Sequence, residues 1–172
     1  MELEEPISRT IYLSLGSNIG SKIDNINRAI KLLINSNVIF NVSNSSYYRT
    51  APYGYLEQDF FVNMALKAET NHNLFELIFL LKSSEYLLGR IKRDRWHERE
   101  IDIDIIFFGD IIFENKFIAI PHREFNLRNF VLVPLVEIAP NFIDPKSNKS
   151  LKLLLEECED KSEIVIMDKL KI

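Results

Sequence analysis

The apolar positions of this chain switch repeatedly between the spacing of a strand and the spacing of a helix. Residues 10–15, 38–48 and 60–68 are rich in β-branched and aromatic side chains, which indicates three strands. A fourth strand begins at Ile101, where isoleucines alternate with aspartates. Segments with apolar residues at helical spacing lie between the first and second strands and between the third and fourth. This order predicts an α+β fold with a ferredoxin-like βαββαβ core and an antiparallel sheet.

Capping residues place the ends of the two predicted helices. Ser21 is a candidate N-cap for the first helix, and Asn71 or Asn73 for the second. Gly89 lies where the second helix should end, because glycine readily adopts the left-handed conformation that closes a helix. Beyond the core, the pattern predicts a C-terminal hairpin strand at 111–113, short helices at 131–138 and 151–158, and a last strand at 163–167.

Asp102 and Asp104 lie two residues apart in the fourth predicted strand. Alternation puts both carboxylates on one face, where they repel each other unless a cation lies between them. Mg²⁺ binds through one or two carboxylates together with substrate phosphates. A solvated edge strand is the alternative, although aspartate is poor in strands. The pattern favours a site for Mg²⁺ and a polyphosphate, because five cationic residues lie just upstream: Arg90, Lys92, Arg93, Arg95 and Arg99.

Residues 95–105 read Arg-Trp-His-Glu-Arg-Glu-Ile-Asp-Ile-Asp-Ile. This segment resembles the signature of the 6-hydroxymethyl-7,8-dihydropterin pyrophosphokinase family of folate biosynthesis. Further short matches follow the family's order at 15–18, 48–52, 61–63, 120–122 and 128–130. The resemblance implies the same α+β fold. It also implies transfer of pyrophosphate from ATP to the hydroxymethyl group of the pterin, with release of AMP.

The resemblance further implies a set of site residues. It assigns two Mg²⁺ ions to Asp102 and Asp104, and adds Arg90 and Arg99 as catalytic residues. The residues implied to bind ATP, some on a mobile loop that closes over it, are Glu85, Arg90, Trp96, Arg99, His122, Arg123 and Arg128. Those implied to bind the pterin are Thr50, Pro52, Tyr53, Phe61, Asn63 and Phe130. The sequence alone favours a core position for the two phenylalanines, because the chain has twelve residues of this type.

One pair of residues departs from the family pattern. The family most often has Gly-Pro between the tryptophan and the second arginine of the signature, whereas this chain has His97 and Glu98. Glu98 brings a negative charge close to the expected phosphates. The departure therefore bears on how the closing loop folds back over ATP.

The composition limits the classes of protein to which this chain can belong. With 172 residues and a net charge of −4, we expect one domain and no general affinity for nucleic acid. We assign 1–9 to an N-terminal extension and 10–172 to a single pyrophosphokinase domain. The single cysteine, Cys158, excludes an internal disulfide and fits a reducing cytoplasm. No apolar run approaches the ~18 residues of a membrane span.

A ferredoxin-like binding module, for RNA or for a metabolite, is the alternative reading, with the aspartates structural. RNA-binding modules of this kind present aromatic residues within a basic patch. Acidic Asp102 and Asp104 in the middle of the sheet argue against nucleic acid. We therefore expect small-molecule partners, no membrane, and either a stand-alone chain or one fused to or associated with a neighbouring enzyme of the folate pathway.

Overall fold

The computed structural model describes residues 8–52, 57–93 and 97–167. The core elements are β1 (Arg9–Ser17), α1 (Lys22–Asn35), β2 (Phe40–Asn44), β3 (Tyr48–Thr50), β4 (Phe61–Thr70), α2 (Leu74–Leu87) and β5 (Asp102–Phe108). The elements that follow are β6 (Phe113–Glu114), β7 (Ala119–Ile120), a 3₁₀ turn (Phe125–Leu127), α3 (Asn129–Ile138), α4 (Leu151–Glu157) and β8 (Ile164–Ile166). The predicted α+β class is confirmed.

The main sheet has the strand order β5-β1-β4-β3-β8, and β2 also pairs with β4. All of these pairings are antiparallel. The predicted strand 38–48 is in fact two short strands, β2 and β3. They are separated where the Ser45 side chain accepts a hydrogen bond from the backbone N–H of Ala65 at 2.9 Å. If β2 and β3 are counted as one strand, the order is that of the split βαβ arrangement.

The two core helices begin in different ways. Ser21 occupies the predicted N-cap position of α1, although its side chain makes no capping hydrogen bond. Asn73 caps α2 by accepting from the backbone N–H groups of Phe75 and Glu76, and the Glu76 side chain accepts in turn from the Asn73 N–H. This reciprocal capping box fixes the start of the helix that carries site residues at its other end.

Helices cover both faces of the sheet. Ile26, Ile30 and Leu33 of α1 are fully buried in one core, together with apolar residues of β1 and β4. On the opposite face, Leu132 and Leu135 of α3 pack in a second core. The longest helices in the described ranges have 14 residues, and none combines the length and apolar character of a membrane span.

The segment after β5 differs from the predicted hairpin strand at 111–113. The strand is instead Phe113–Glu114, and it pairs with Ala119–Ile120 in a separate two-stranded sheet. The Asn115 side chain closes this hairpin by accepting from the backbone N–H groups of Phe117 and Ile118. The predicted last strand is present as β8, which extends the main sheet by pairing with β3.

We expect Asn73→Ala to lower the free energy of unfolding by about 1 kcal/mol, because two N–H groups at the start of α2 lose their acceptor. Urea denaturation followed by circular dichroism measures this change. Asn71→Ala, at the exposed position two residues earlier, is the matched control and should change the free energy by less than about 0.5 kcal/mol. Equal effects of the two substitutions would contradict the assignment of the cap.

Candidate active site

Asp102 and Asp104 lie on one face of β5, while the intervening isoleucine is buried on the other face, as predicted. Strand β1 runs beside them and pairs Gly16 with Asp102 and Ser14 with Asp104. Because Gly16 has no side chain and that of Ser14 is small, a cavity remains beside the two carboxylates. Gly16, Ser14 and both aspartates line this cavity. The two aspartates differ in exposure: the side chain of Asp102 is 15% exposed and that of Asp104 38%.

Three cationic side chains surround the carboxylate of Asp102. Arg90 Nη1 donates to its Oδ1 at 2.6 Å, Arg99 Nη1 donates to its Oδ2, and Lys82 Nζ lies 3.8 Å from Oδ1. Burial alone would raise the pKa of Asp102, but these positive charges outweigh it and hold the pKa below its ordinary value. Asp102 is therefore an anion at neutral pH.

Glu85 links α2 to β5 at the same place. Its side chain is buried, its Oε1 accepts from the backbone N–H of Ile103 at 2.7 Å, and its Oε2 accepts from Arg90. Lys82 donates to Oε1 at 2.7 Å and to the Ile103 carbonyl at 3.0 Å. Lys82 is not among the site residues predicted from the sequence. The available signal was its position three residues before Glu85, as the single cationic residue of α2.

The segment around Arg99 is held by hydrogen bonds at several points. Asn18 N donates to the Arg99 carbonyl at 3.0 Å, and the Arg99 N–H donates to Asn18 Oδ1 at 2.7 Å. The Asn18 amide also donates to Gln58 at 2.9 Å. Arg93 holds Glu100 with two hydrogen bonds at 2.9 and 2.7 Å, and this pairing lowers the pKa of Glu100 to about 2. These contacts place the Arg99 guanidinium beside Asp102.

His122 and Arg128 line the same cavity as the two aspartates. Burial lowers the pKa of His122, and the charge of Arg128 lowers it further despite the nearby carboxylate of Asp104. The imidazole Nδ1 accepts from the backbone N–H of Glu124 at 3.3 Å, which leaves the ring proton on Nε2. His122 is therefore a neutral donor at pH 7.

Two other residues were predicted to bind ATP, Arg123 and Trp96, and the structure describes only Arg123. Arg123 lines the wider part of the cleft, where its Nη2 donates to the Asn115 carbonyl at 3.1 Å and lies 3.2 Å from Glu114. It is thus engaged with the β6–β7 hairpin. Trp96 lies outside the described residues.

A second group of residues lines the other side of the cavity. The cavity lining there includes four residues that the family resemblance assigns to the pterin site: Thr50, Phe61, Asn63 and Phe130. Asn63 is buried and its amide donates to Thr50 Oγ1 at 2.8 Å. Ala51, the neighbour of Pro52, lines the cavity as well, whereas Tyr53 lies outside the described residues.

Gly16 joins the two sides of the cavity. It pairs with Asp102 across one edge of β1 and with Asn63 across the other. A Cβ atom at this position would lie 2.6 Å from Asn63 Oδ1, closer than any side chain allows. Glycine is therefore required for the Asn63 amide to lie against the backbone of β1.

The donor set fits a divalent cation that is shared with a substrate. In the parts of the chain that the structure describes, no three His, Cys, Asp or Glu side chains are grouped to hold a metal ion. Asp102 and Asp104 supply hard oxygen ligands that suit Mg²⁺, but two carboxylates leave most of an octahedral shell to water and phosphate. The surrounding guanidinium groups would neutralise the remaining phosphate charge by donating hydrogen bonds to it.

Several known proteins are similar to this chain over most of its length. Residues 12–140 match the model of the 7,8-dihydro-6-hydroxymethylpterin-pyrophosphokinase family. A 2-amino-4-hydroxy-6-hydroxymethyldihydropteridine pyrophosphokinase of Haemophilus influenzae is 34% identical over 152 residues, covering 88% of this chain and 95% of that protein. The enzyme of the same name from Aquifex aeolicus is 39% identical over 143 residues, covering 83% and 88%.

Solved structures share the fold. The Plasmodium falciparum HPPK-DHPS protein superposes with a TM-score of 0.73 at 17% identity, covering 90% of this chain but 42% of the longer Plasmodium chain. At such low identity, this similarity concerns the fold alone. The family match spans most of the chain and the enzymes named above match along nearly their whole length. The chain therefore belongs to the 7,8-dihydro-6-hydroxymethylpterin-pyrophosphokinase family, ATP-dependent enzymes that transfer a pyrophosphoryl group to hydroxymethyldihydropterin in folate biosynthesis.

Proposed function

We propose that this chain carries out pyrophosphoryl transfer in the cavity between Asp102, Asp104 and Phe130. The observation that supports the proposal is that carboxylates, guanidinium groups and an aromatic–amide pocket line one continuous cavity. The pterin hydroxymethyl oxygen would attack the β-phosphorus of ATP. One P–O bond forms, the bond between the α,β-bridging oxygen and the β-phosphorus breaks, and AMP leaves. The hydroxyl proton passes to solvent or to a nearby base.

The two aspartates would hold Mg²⁺ together with the phosphates, and we propose two ions. When bound, Mg²⁺ neutralises the charge of the triphosphate and aligns its oxygens. Asp102 is kept ionised by its cationic neighbours, so it is ready to act as a ligand at neutral pH. Asp104 is more exposed and would meet the metal on the open side of the cavity.

The cationic side chains would bind ATP. Arg99 can donate two parallel hydrogen bonds to a phosphate, and its present partner is the carboxylate of Asp102. Arg90 lies beside it, so both guanidinium groups flank the metal ligands. His122 would donate a neutral N–H from Nε2 to a phosphate oxygen without adding charge. Such fixed donors matter most where charge develops in the transition state.

The pterin would lie between Phe61 and Phe130. Flat heteroaromatic rings stack well on aromatic side chains in a buried cavity. Asn63 offers both a donor and an acceptor, and its hydrogen bond to Thr50 holds the amide in one orientation. The pocket would thus orient the hydroxymethyl group towards the phosphates on the other side of Gly16.

Partners beyond the two substrates are suggested by longer relatives. The bifunctional protein FolKE of Lactococcus lactis is 38% identical over 133 residues, and the matching part is 38% of its length. We propose that this chain can associate with another enzyme of folate synthesis. The expected cytoplasmic location and the division into an extension at 1–9 and one domain at 10–172 remain predictions.

Incubation of the full chain with ATP, MgCl₂ and 6-hydroxymethyl-7,8-dihydropterin tests the proposed reaction directly. We expect one AMP for each pyrophosphorylated pterin, detected by liquid chromatography. EDTA should abolish the product, because the phosphate charge would no longer be neutralised. Release of ADP instead of AMP would contradict the proposal, since it would show transfer of a single phosphoryl group.

We expect Asp104→Asn to lower turnover by roughly 10²–10³-fold, the usual scale for losing one group that stabilises the transition state. Its free energy of unfolding in EDTA should change by less than about 1 kcal/mol, because the ion pair between Asp104 and Lys82 is exposed to solvent. Asp102→Asn should lower turnover as much but also destabilise the fold by roughly 3 kcal/mol, because Arg99 loses its carboxylate partner and Arg90 keeps only Glu85.

Steady-state kinetics and urea denaturation in EDTA separate the two variants. The loss of stability in Asp102→Asn is the specific expectation. Repulsion between two bare carboxylates would instead predict that either substitution stabilises the fold. Near-normal turnover in Asp104→Asn would show that the metal is held elsewhere.

We expect Gly16→Ala to weaken pterin binding by about tenfold, because the new methyl group displaces the Asn63 amide and costs about one hydrogen bond. ATP affinity should change by less than about twofold, which calorimetry with each ligand can measure. Asn63→Ala should weaken pterin binding to a similar degree, and the double variant should be little worse than either alone. Fully additive losses would mean that Gly16 acts by another route.

A further inference from the structure

Lys82 brings its ammonium group into the space between the two aspartates. Nζ lies 3.8 Å from Asp102 Oδ1 and 3.5 Å from Asp104 Oδ1. It also donates to Glu85 Oε1 at 2.7 Å and to the Ile103 carbonyl at 3.0 Å. Four oxygen atoms from α2 and β5 therefore surround one amine, much as they would surround a metal ion.

The two aspartates depend on Lys82 to different degrees. Asp102 also pairs with Arg90 and Arg99. For Asp104, Lys82 is the only ion-pair partner within 4.0 Å among residues 8–52, 57–93 and 97–167. The charge of Asp104 is thus balanced by an amine that faces the carboxylate group proposed to hold the metal ion.

We propose that Lys82 competes with divalent metal for the aspartate pair and so sets the metal affinity of the enzyme. The inference rests on the proposed role of Asp102 and Asp104 as metal ligands. A Mg²⁺ ion binds oxygen at 2.0–2.1 Å and would lie close to the amine, so the two positive charges would repel each other. Metal binding then requires either movement of Lys82 or extra negative charge from the phosphates of ATP.

The side chain of Lys82 is able to move. It is 48% exposed and lines the open cleft that also holds His122 and Arg128. Its stem is flexible, and the amine can keep its bond to Glu85, three residues away on the same helix, while leaving Asp104. Lys82 would thus disfavour binding of the metal alone and favour binding of the metal with nucleotide.

A purely structural role makes the opposite prediction. If Lys82 only ties α2 to β5, its removal should loosen the carboxylates and weaken metal binding. If it competes with the metal, its removal should strengthen metal binding. The sign of the change therefore distinguishes the two roles, because damage to the fold does not raise affinity for a ligand.

Mn²⁺ binding to the full chain without nucleotide provides the test, measured by electron paramagnetic resonance of the free ion. We expect Lys82→Met to raise the affinity by roughly tenfold, since it removes the positive charge at similar length. Lys82→Gln should also raise the affinity for Mn²⁺, and it replaces the methionine variant if that variant folds poorly. Lys82→Arg keeps the charge and should resemble the parent chain. Lys31→Met, at an exposed position of α1, is the matched control and should leave the affinity unchanged.

Unchanged or weaker Mn²⁺ binding by both Lys82→Met and Lys82→Gln would overturn the inference. Binding by the parent chain and by Asp104→Asn, with and without a non-hydrolysable ATP analogue, tests the underlying site separately. If Asp104→Asn binds Mn²⁺ as well as the parent, the aspartates are not the ligands and the proposed function itself fails. If the parent's binding depends on Asp104 but the Lys82 variants match it, only the competition fails.

Discussion

The charge of Asp102 has to be compensated inside the fold, and much of the site is arranged around that requirement. Burial opposes its ionisation, but cations that approach it from two segments of the chain hold its pKa below the ordinary value. Lys82 comes from α2, while Arg90 and Arg99 come from the segment between α2 and β5. The same ion pairs therefore hold the helix against the strand and hold the cations beside the proposed phosphate site.

The sheet register connects this charged region to the proposed pterin pocket. Gly16 of β1 lies between Asp102 of β5 and Asn63 of β4, so a single row across three strands joins them. Adjacent strands are about 4.8 Å apart, which places the two subsites within the reach of a pterin hydroxymethyl group and a triphosphate. Because Gly16 has no side chain, the Asn63 amide can lie against the backbone of β1 within this row. The spacing of the two proposed subsites is thus set by backbone pairing, which is less deformable than a loop.

The far wall of the cavity is fixed by the C-terminal part of the chain. Asn129 separates Arg128 from Phe130 at the start of α3, and its N–H donates to Asp160 at 3.1 Å. Its side-chain amide donates to the Ser162 carbonyl at 2.7 Å. Strand β8 follows directly and pairs with β3, which carries Thr50. Both walls of the pocket are therefore tied to one C-terminal segment, a connection that local sequence patterns do not reveal.

The sequence by itself determined the α+β class, the two core helices, the shared face of Asp102 and Asp104, and the family, because these follow from local periodicity and from motifs in a characteristic order. Only the tertiary structure decided that Lys82 meets both aspartates, that Gly16 lies beside Asn63, and that strand 38–48 divides into β2 and β3. Residue spacing along a chain reports which side chains share a face of one element. It does not report which side chains of distant elements meet, because that depends on sheet register and on how charge is balanced once the elements pack.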